Sequence, residues 1–155
     1  MTGVQTCALP ISAQIVAQVA QPKPGMKVLD LAAAPGGKTT QLLSYLDNQG
    51  LLVSNEIHKG RSKILVENVE RFGARNVLLT NESADRLAKV FSGFFDLIVL
   101  DAPCSGEGMF RKQPDAMDYW SIDYPRECSL LQREDRKSTR LNSSHLKLSR
   151  MPSSA

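Results

Sequence analysis

The chain is poor in the residues that build metal and disulfide frameworks. Its three cysteines, Cys7, Cys104 and Cys128, form no CxxC pair and are too few for a disulfide scaffold. The two histidines, His58 and His145, lie away from any cysteine in sequence, so no zinc-ligand spacing is present and no metal is expected. No run of about 18 apolar residues occurs, which excludes an expected transmembrane helix. Met1 to Ser12 lacks the basic start and continuous apolar stretch of a secretion signal. These absences point to a cytoplasmic protein in a reducing compartment, with no membrane partner. No internal repeat is visible. What is present, 155 residues with 42% hydrophobic and 23% charged, suffices for one globular domain with one core.

The net charge of +3 is unevenly placed. Of 19 lysines and arginines, five (Arg136, Lys137, Arg140, Lys147 and Arg150) fall in the last twenty residues, which contain no acid. The remaining body holds 14 basic side chains against 16 acidic ones, a net charge of −2. A long basic groove for nucleic acid is therefore not expected within it.

Both ends differ in character from the middle. Residues 1–11, MTGVQTCALPI, and the Ser- and Arg-rich segment 135–155 show neither strand alternation nor a helical apolar stripe. They read as translated sequencing-adapter sequence outside a folded body at 12–134, the alternative being natural disordered termini.

Within that body strands and helices alternate. Ser12 is placed to cap a helix through Val19, with Ile15, Val16 and Val19 as its apolar face, ended by Pro22, Pro24 and Gly25. Lys27–Leu31 reads as a buried strand, Lys38 to about Tyr45 as a helix, and Leu51–Asn55 as a second strand. Lys59–Phe72 reads as a helix with Ile64, Leu65 and Val69 facing inward, stopped by Gly73. Val77–Thr80 is a third strand, Ala84–Phe91 a helix and Phe95–Leu100 a fourth strand, leading into a loop from Asp101 to Gly108. Glu127 to Glu134 begins a further helix. This rhythm predicts an α/β, Rossmann-like parallel sheet covered on both faces, with its ligand site at the carboxyl ends of the strands.

Between the first strand and its helix lies Asp30-Leu-Ala-Ala-Ala-Pro-Gly-Gly-Lys-Thr39, whose small residues allow backbone N–H groups to approach a ligand closely. The spacing of a phosphate-binding loop ending in Gly-Lys-Ser/Thr would put its first glycine at Ala32, so nucleotide-phosphate binding through Lys38 is disfavoured. The three-glycine dinucleotide fingerprint is absent too. Glu56 ends the second strand, about twenty residues after the turn, where an acid in a doubly wound fold accepts hydrogen bonds from ribose hydroxyls. Arg61 either acts electrostatically on this region or is an ordinary surface arginine.

The runs AAAPGGKTTQL, SNEIHKGR and above all DAPCSGEGMFRK resemble the Sun/Nop-type RNA cytosine C5 methyltransferases, with SGEGMFRK most similar to the RsmF-type 16S rRNA enzymes. The resemblance covers about residues 12–134 and implies a class I methyltransferase sheet, truncated after the fourth strand, that binds S-adenosyl-L-methionine. It places Ala32, Ala33, Ala34, Pro35, Gly36, Gly37 and Lys38 around the methionine end, Glu56 on the ribose, and Asp101 closing the pocket near the target base. The family's acid near the adenine falls at Ser83 here, leaving Glu82 or Asp85 as substitutes.

The resemblance also implies covalent chemistry. C5 of cytosine is a poor nucleophile, so a thiolate adds to C6, the activated C5 takes the methyl group, and a base removes the C5 proton. Cys104 is then the helper cysteine that assists release, with Asp101 hydrogen-bonding the base. The nucleophile belongs to a later Thr-Cys-Ser-like element that this sequence lacks, and Cys128 fits an ordinary helix position better. The expectation is a fragment of an rRNA (cytosine-C5)-methyltransferase, with RNA as the full-length parent's partner, inactive by itself. Its fourth strand is expected to be an unpaired edge with Leu97–Leu100 poorly covered. The rival readings are a non-catalytic S-adenosylmethionine-binding module and a truncated reading frame without function.

Overall fold

The computed structural model describes residues 11–101, Arg133 and 146–148. Their elements run α1 (Ile11–Ala20), β1 (Lys27–Asp30), α2 (Gly37–Leu46), β2 (Leu51–Asn55), α3 (Lys59–Phe72), β3 (Val77–Thr80), α4 (Ala84–Val90), β4 (Leu97–Leu100) and β5 (Leu146–Leu148). The strands form a parallel sheet ordered β3-β2-β1-β4-β5. The order reverses between β1 and β4, which opens a crevice at the carboxyl ends of the strands.

β1, β2 and β4 are short apolar runs because they are buried on both faces. Val28, Leu52, Leu97 and Val99 pack with Val16, Ala17 and Ala20 of α1 and Leu42, Leu43 and Leu46 of α2. On the opposite face, Leu29, Val53, Ile98 and Leu100 pack with Leu87 of α4 and with Phe95. A third cluster joins Leu65 and Val69 of α3 to Ala33 and Ala34 of the Ala-rich turn. α3 ends where expected, because Gly73 adopts the left-handed conformation at φ 76° and donates its N–H to Val69 and Glu70 carbonyls.

Several expectations are corrected. β4 is not an edge: Ile98, Val99 and Leu100 register with Leu146, Lys147 and Leu148 of β5, and all four β4 residues are buried. A short parallel strand from the Ser- and Arg-rich segment thus covers the side on which β4 was expected to be open. Val19 is 60% exposed, because α1 docks through Val16, Ala17 and Ala20 and leaves Val19 off that stripe. Ile64 is likewise exposed, since α3 turns Leu65 and Val69 inward at i, i+4 spacing. α1 begins at Ile11, so Ser12 lies within its first turn instead of preceding it. The expected helix at Glu127–Glu134 falls largely outside the described residues.

Leu42 is wholly buried between α1 and the sheet. Leu42→Ala is expected to lower the unfolding free energy by about 2–5 kcal/mol, read from the urea midpoint at unchanged m-value.

Candidate functional site at the carboxyl ends of the strands

The turn from Leu31 to Lys38 is held from three sides. Leu31 N–H donates to Val99 O (3.1 Å) in β4, and Ala33 N–H donates to Asn55 O (2.9 Å) at the end of β2. From α3, Arg61 donates to Ala34 O (2.8 Å) and Asn68 to Pro35 O (2.7 Å). The Ala34–Pro35 peptide is cis. Gly36 has φ 111° and forms the N-cap of α2, and a Cβ there would stand 3.1 Å from Leu65 Cδ1 and 3.4 Å from Asn68 Cβ. Left-handed backbone and a helix packed against it together explain the glycine.

Three acids gather around this turn. Asp30, at the end of β1, is wholly buried, and its Oδ2 accepts from Thr39 Oγ1 (2.9 Å) in α2. Its Oδ1 has no hydrogen-bond partner among the described residues. Burial pushes its pKa up from 3.8 to about 6, against the opposing pull of the Lys38 ammonium and the Thr39 hydroxyl. Glu56, 3% exposed, accepts His58 N–H at Oε1 (3.0 Å), and its Oε2 lies 3.6 Å from Arg61 Nη1. Asp101, just past β4, pairs with Lys38 Nζ at 2.7 Å, an ion pair joining the first turn of α2 to the start of the next loop.

The sheet therefore brings Ala32–Lys38, Glu56, Arg61 and Asp101 to one end of strands β1, β2 and β4. Arg61, its side chain half exposed, reaches both the turn carbonyl of Ala34 and Glu56. Ser83 is the N-cap of α4, its hydroxyl accepting from Arg86 N–H (3.4 Å), while Glu82 pairs with Arg86 at 3.2 Å. Cys104 lies outside the described residues, as do Cys7, Cys128 and His145. Among the described residues no cluster of three or more His, Cys, Asp or Glu could hold a metal, and no helix is long and apolar enough to cross a membrane.

Sequence reasoning did not single out Asp30 as a site residue. An acid ending an otherwise apolar strand immediately before a glycine-rich turn is the signal that could have found it. Asn55 was missed as well, because a lone amide at a strand end has no distinctive sequence signature.

This strand order, with a glycine turn after β1 and an acid after β2, defines a Rossmann-like class I methyltransferase fold. Solved structures agree. The chain superposes on the protein PH0851 with TM-score 0.81 and 35% identity, covering 88% of this chain and 31% of that one. It superposes on NSun6 from Pyrococcus horikoshii, solved with SFG, with TM-score 0.80 and 25% identity, covering 96% of this chain and 41% of the other. The model of the family described as 16S rRNA methyltransferase RsmB/F matches residues 17–148, and the chain belongs to that family. Ribosomal RNA small subunit methyltransferase F of Vibrio cholerae is 52% identical over 100 residues, covering 62% of this chain and 20% of the relative. The chain thus spans about a fifth of the length of the curated relatives it matches.

Two outcomes test the site's construction. Gly36→Ala is expected to cost about 1–3 kcal/mol, from strained backbone and overpacking against Leu65. In a double-mutant cycle with Leu65→Ala, part of that cost should disappear. Asp30 has a folded pKa above its unfolded value, so its ionisation opposes folding. That penalty is absent below about pH 4 and complete above about pH 6. Asp30→Asn is therefore expected to flatten the fall in stability across this window and to stabilise the chain at neutral pH by up to roughly 3 kcal/mol, measured by urea unfolding at each pH.

Proposed function

We propose that this chain is the cofactor-binding half of an S-adenosyl-L-methionine-dependent methyltransferase whose full-length parent forms 5-methylcytosine in 16S rRNA. The observation that carries this reading is the convergence of the Ala32–Lys38 turn, Glu56 and Asp101 at one end of the sheet.

The residues present fit the cofactor. Glu56 is a buried carboxylate able to accept from ribose hydroxyls, and the turn offers small residues and backbone groups to the methionine portion. Asp30 Oδ1, buried without a partner among the described residues, suits a cationic ammonium group. When bound, S-adenosylmethionine supplies an electrophilic methyl group. Asp101 is then the acceptor for the target base, held in place by Lys38, and Cys104 is the helper that assists release of the base. In this reading the chain lacks the nucleophilic thiolate for cytosine C6 and turns over no substrate. Residues 1–11 are proposed to be non-native, and sequencing the source DNA near Ser12 tests this. For 135–155 the same proposal stands against the pairing of 146–148 with β4 and the family match through residue 148, and sequencing near Glu134 decides between them.

Isothermal titration calorimetry of the whole chain with S-adenosylhomocysteine is expected to give saturable binding. Glu56→Ala should weaken it at least about tenfold through loss of hydrogen bonds to a charged acceptor. No methyl transfer to 16S rRNA is expected from either form. Absence of calorimetric binding by folded protein would overturn the reading.

A further inference from the structure

Asn55 is the last residue of β2, 2% exposed, and stands immediately before Glu56. Its carboxamide uses its full hydrogen-bonding capacity. Nδ2 donates to Leu31 O (3.2 Å) and Glu82 O (3.0 Å), while Oδ1 accepts from Thr80 Oγ1 (2.9 Å) and Glu82 N–H (3.0 Å). The backbone partners fix which end of the amide is oxygen, because Glu82 N–H can only donate and the Leu31 and Glu82 carbonyls can only accept. Pairing with both the N–H and C=O of Glu82, the side chain imitates a strand neighbour and carries the β2–β3 connection past Thr80. The backbone carbonyl of the same residue accepts Ala33 N–H from the glycine turn (2.9 Å).

One residue therefore grips two walls of the crevice. The first is the turn at Leu31 and Ala33. The second is the 81–83 loop leading into α4, which Asn81 also stitches to the Glu56 and Ile57 carbonyls. Ser83, at the position where the resemblance places an acid near the adenine, has its hydroxyl committed to capping α4. The 81–83 loop is thus set in place by backbone anchoring, and Asn55 supplies two of the anchors.

We infer that Asn55 is a positioning residue that sets the spacing between the cofactor turn and the 81–83 loop, and thereby the affinity for an adenosine-bearing ligand. The inference rests on the cofactor reading above. Asn55→Asp keeps the shape but replaces two buried donors by lone pairs facing the Leu31 and Glu82 carbonyls. At a temperature where circular dichroism shows the variant folded, its calorimetric Kd for S-adenosylhomocysteine should rise at least about tenfold. Amide hydrogen exchange should quicken at Ala33 and Glu82 while Leu52 and Val99 in the strands stay protected. Thr80→Val removes a single bond to the amide and should show the same pattern with about a threefold rise in Kd, deciding the matter if Asn55→Asp does not fold.

Wild-type affinity in a folded variant, or exchange quickened evenly across the sheet, would overturn the proposal. If the unaltered chain binds no S-adenosylhomocysteine, the cofactor reading and the affinity role both fail. The exchange pattern then shows separately whether Asn55 holds the two walls.

Discussion

The crevice depends on the contact between α3 and the backbone of the turn that follows β1. Gly36, in left-handed backbone, lets Leu65 approach so closely that an added Cβ would stand 3.1 Å from its Cδ1 and press it aside. Once seated, α3 directs Arg61 and Asn68 at the carbonyls of Ala34 and Pro35. The turn is pinned by a neighbouring helix as well as by the strands it joins, so its backbone groups are held in place before any ligand arrives. Preorganisation of this kind lowers the ordering cost of binding.

Around the pinned turn the electrostatics are deliberately unbalanced. Asp30 and Glu56 are both buried, and each meets only part of its hydrogen-bonding capacity within the described residues. Burial raises the Asp30 pKa to about 6, which marks a carboxylate whose charge the fold does not fully compensate. Lys38 instead pairs with Asp101, so the lysine following the two glycines ties the turn to the residue just past β4.

The termini illustrate how pattern and pairing can diverge. Residues 146–148 lie in a stretch without periodicity, yet Leu146–Leu148 pairs in parallel with β4 and the family model extends to residue 148. Three residues give too little alternation to register as a strand, but an open edge with buried apolar neighbours is a strong template for any segment able to reach it. Burial of Leu97–Leu100 follows from that pairing and from the helices on either face.

Asp101 was reached only through the family resemblance; the sequence by itself determined the strand–helix alternation, the bounds of β2, α3 and β3, the glycine stop at Gly73, and the candidacy of the Ala32–Lys38 turn and Glu56. Each rests on local chemistry: apolar runs between breakers, a permissive glycine turn, an acid beyond a strand end. Tertiary structure alone decided which side chains serve that site. Asp30 is special because α2 and the sheet bury it, Asn55 because three chain segments separated by 24 and 27 positions meet at its amide, and Arg61 because α3 lies across the turn. Val19 and Ile64 point outward for the same reason, since the docking angle of a helix, which periodicity does not encode, chooses the stripe that is buried.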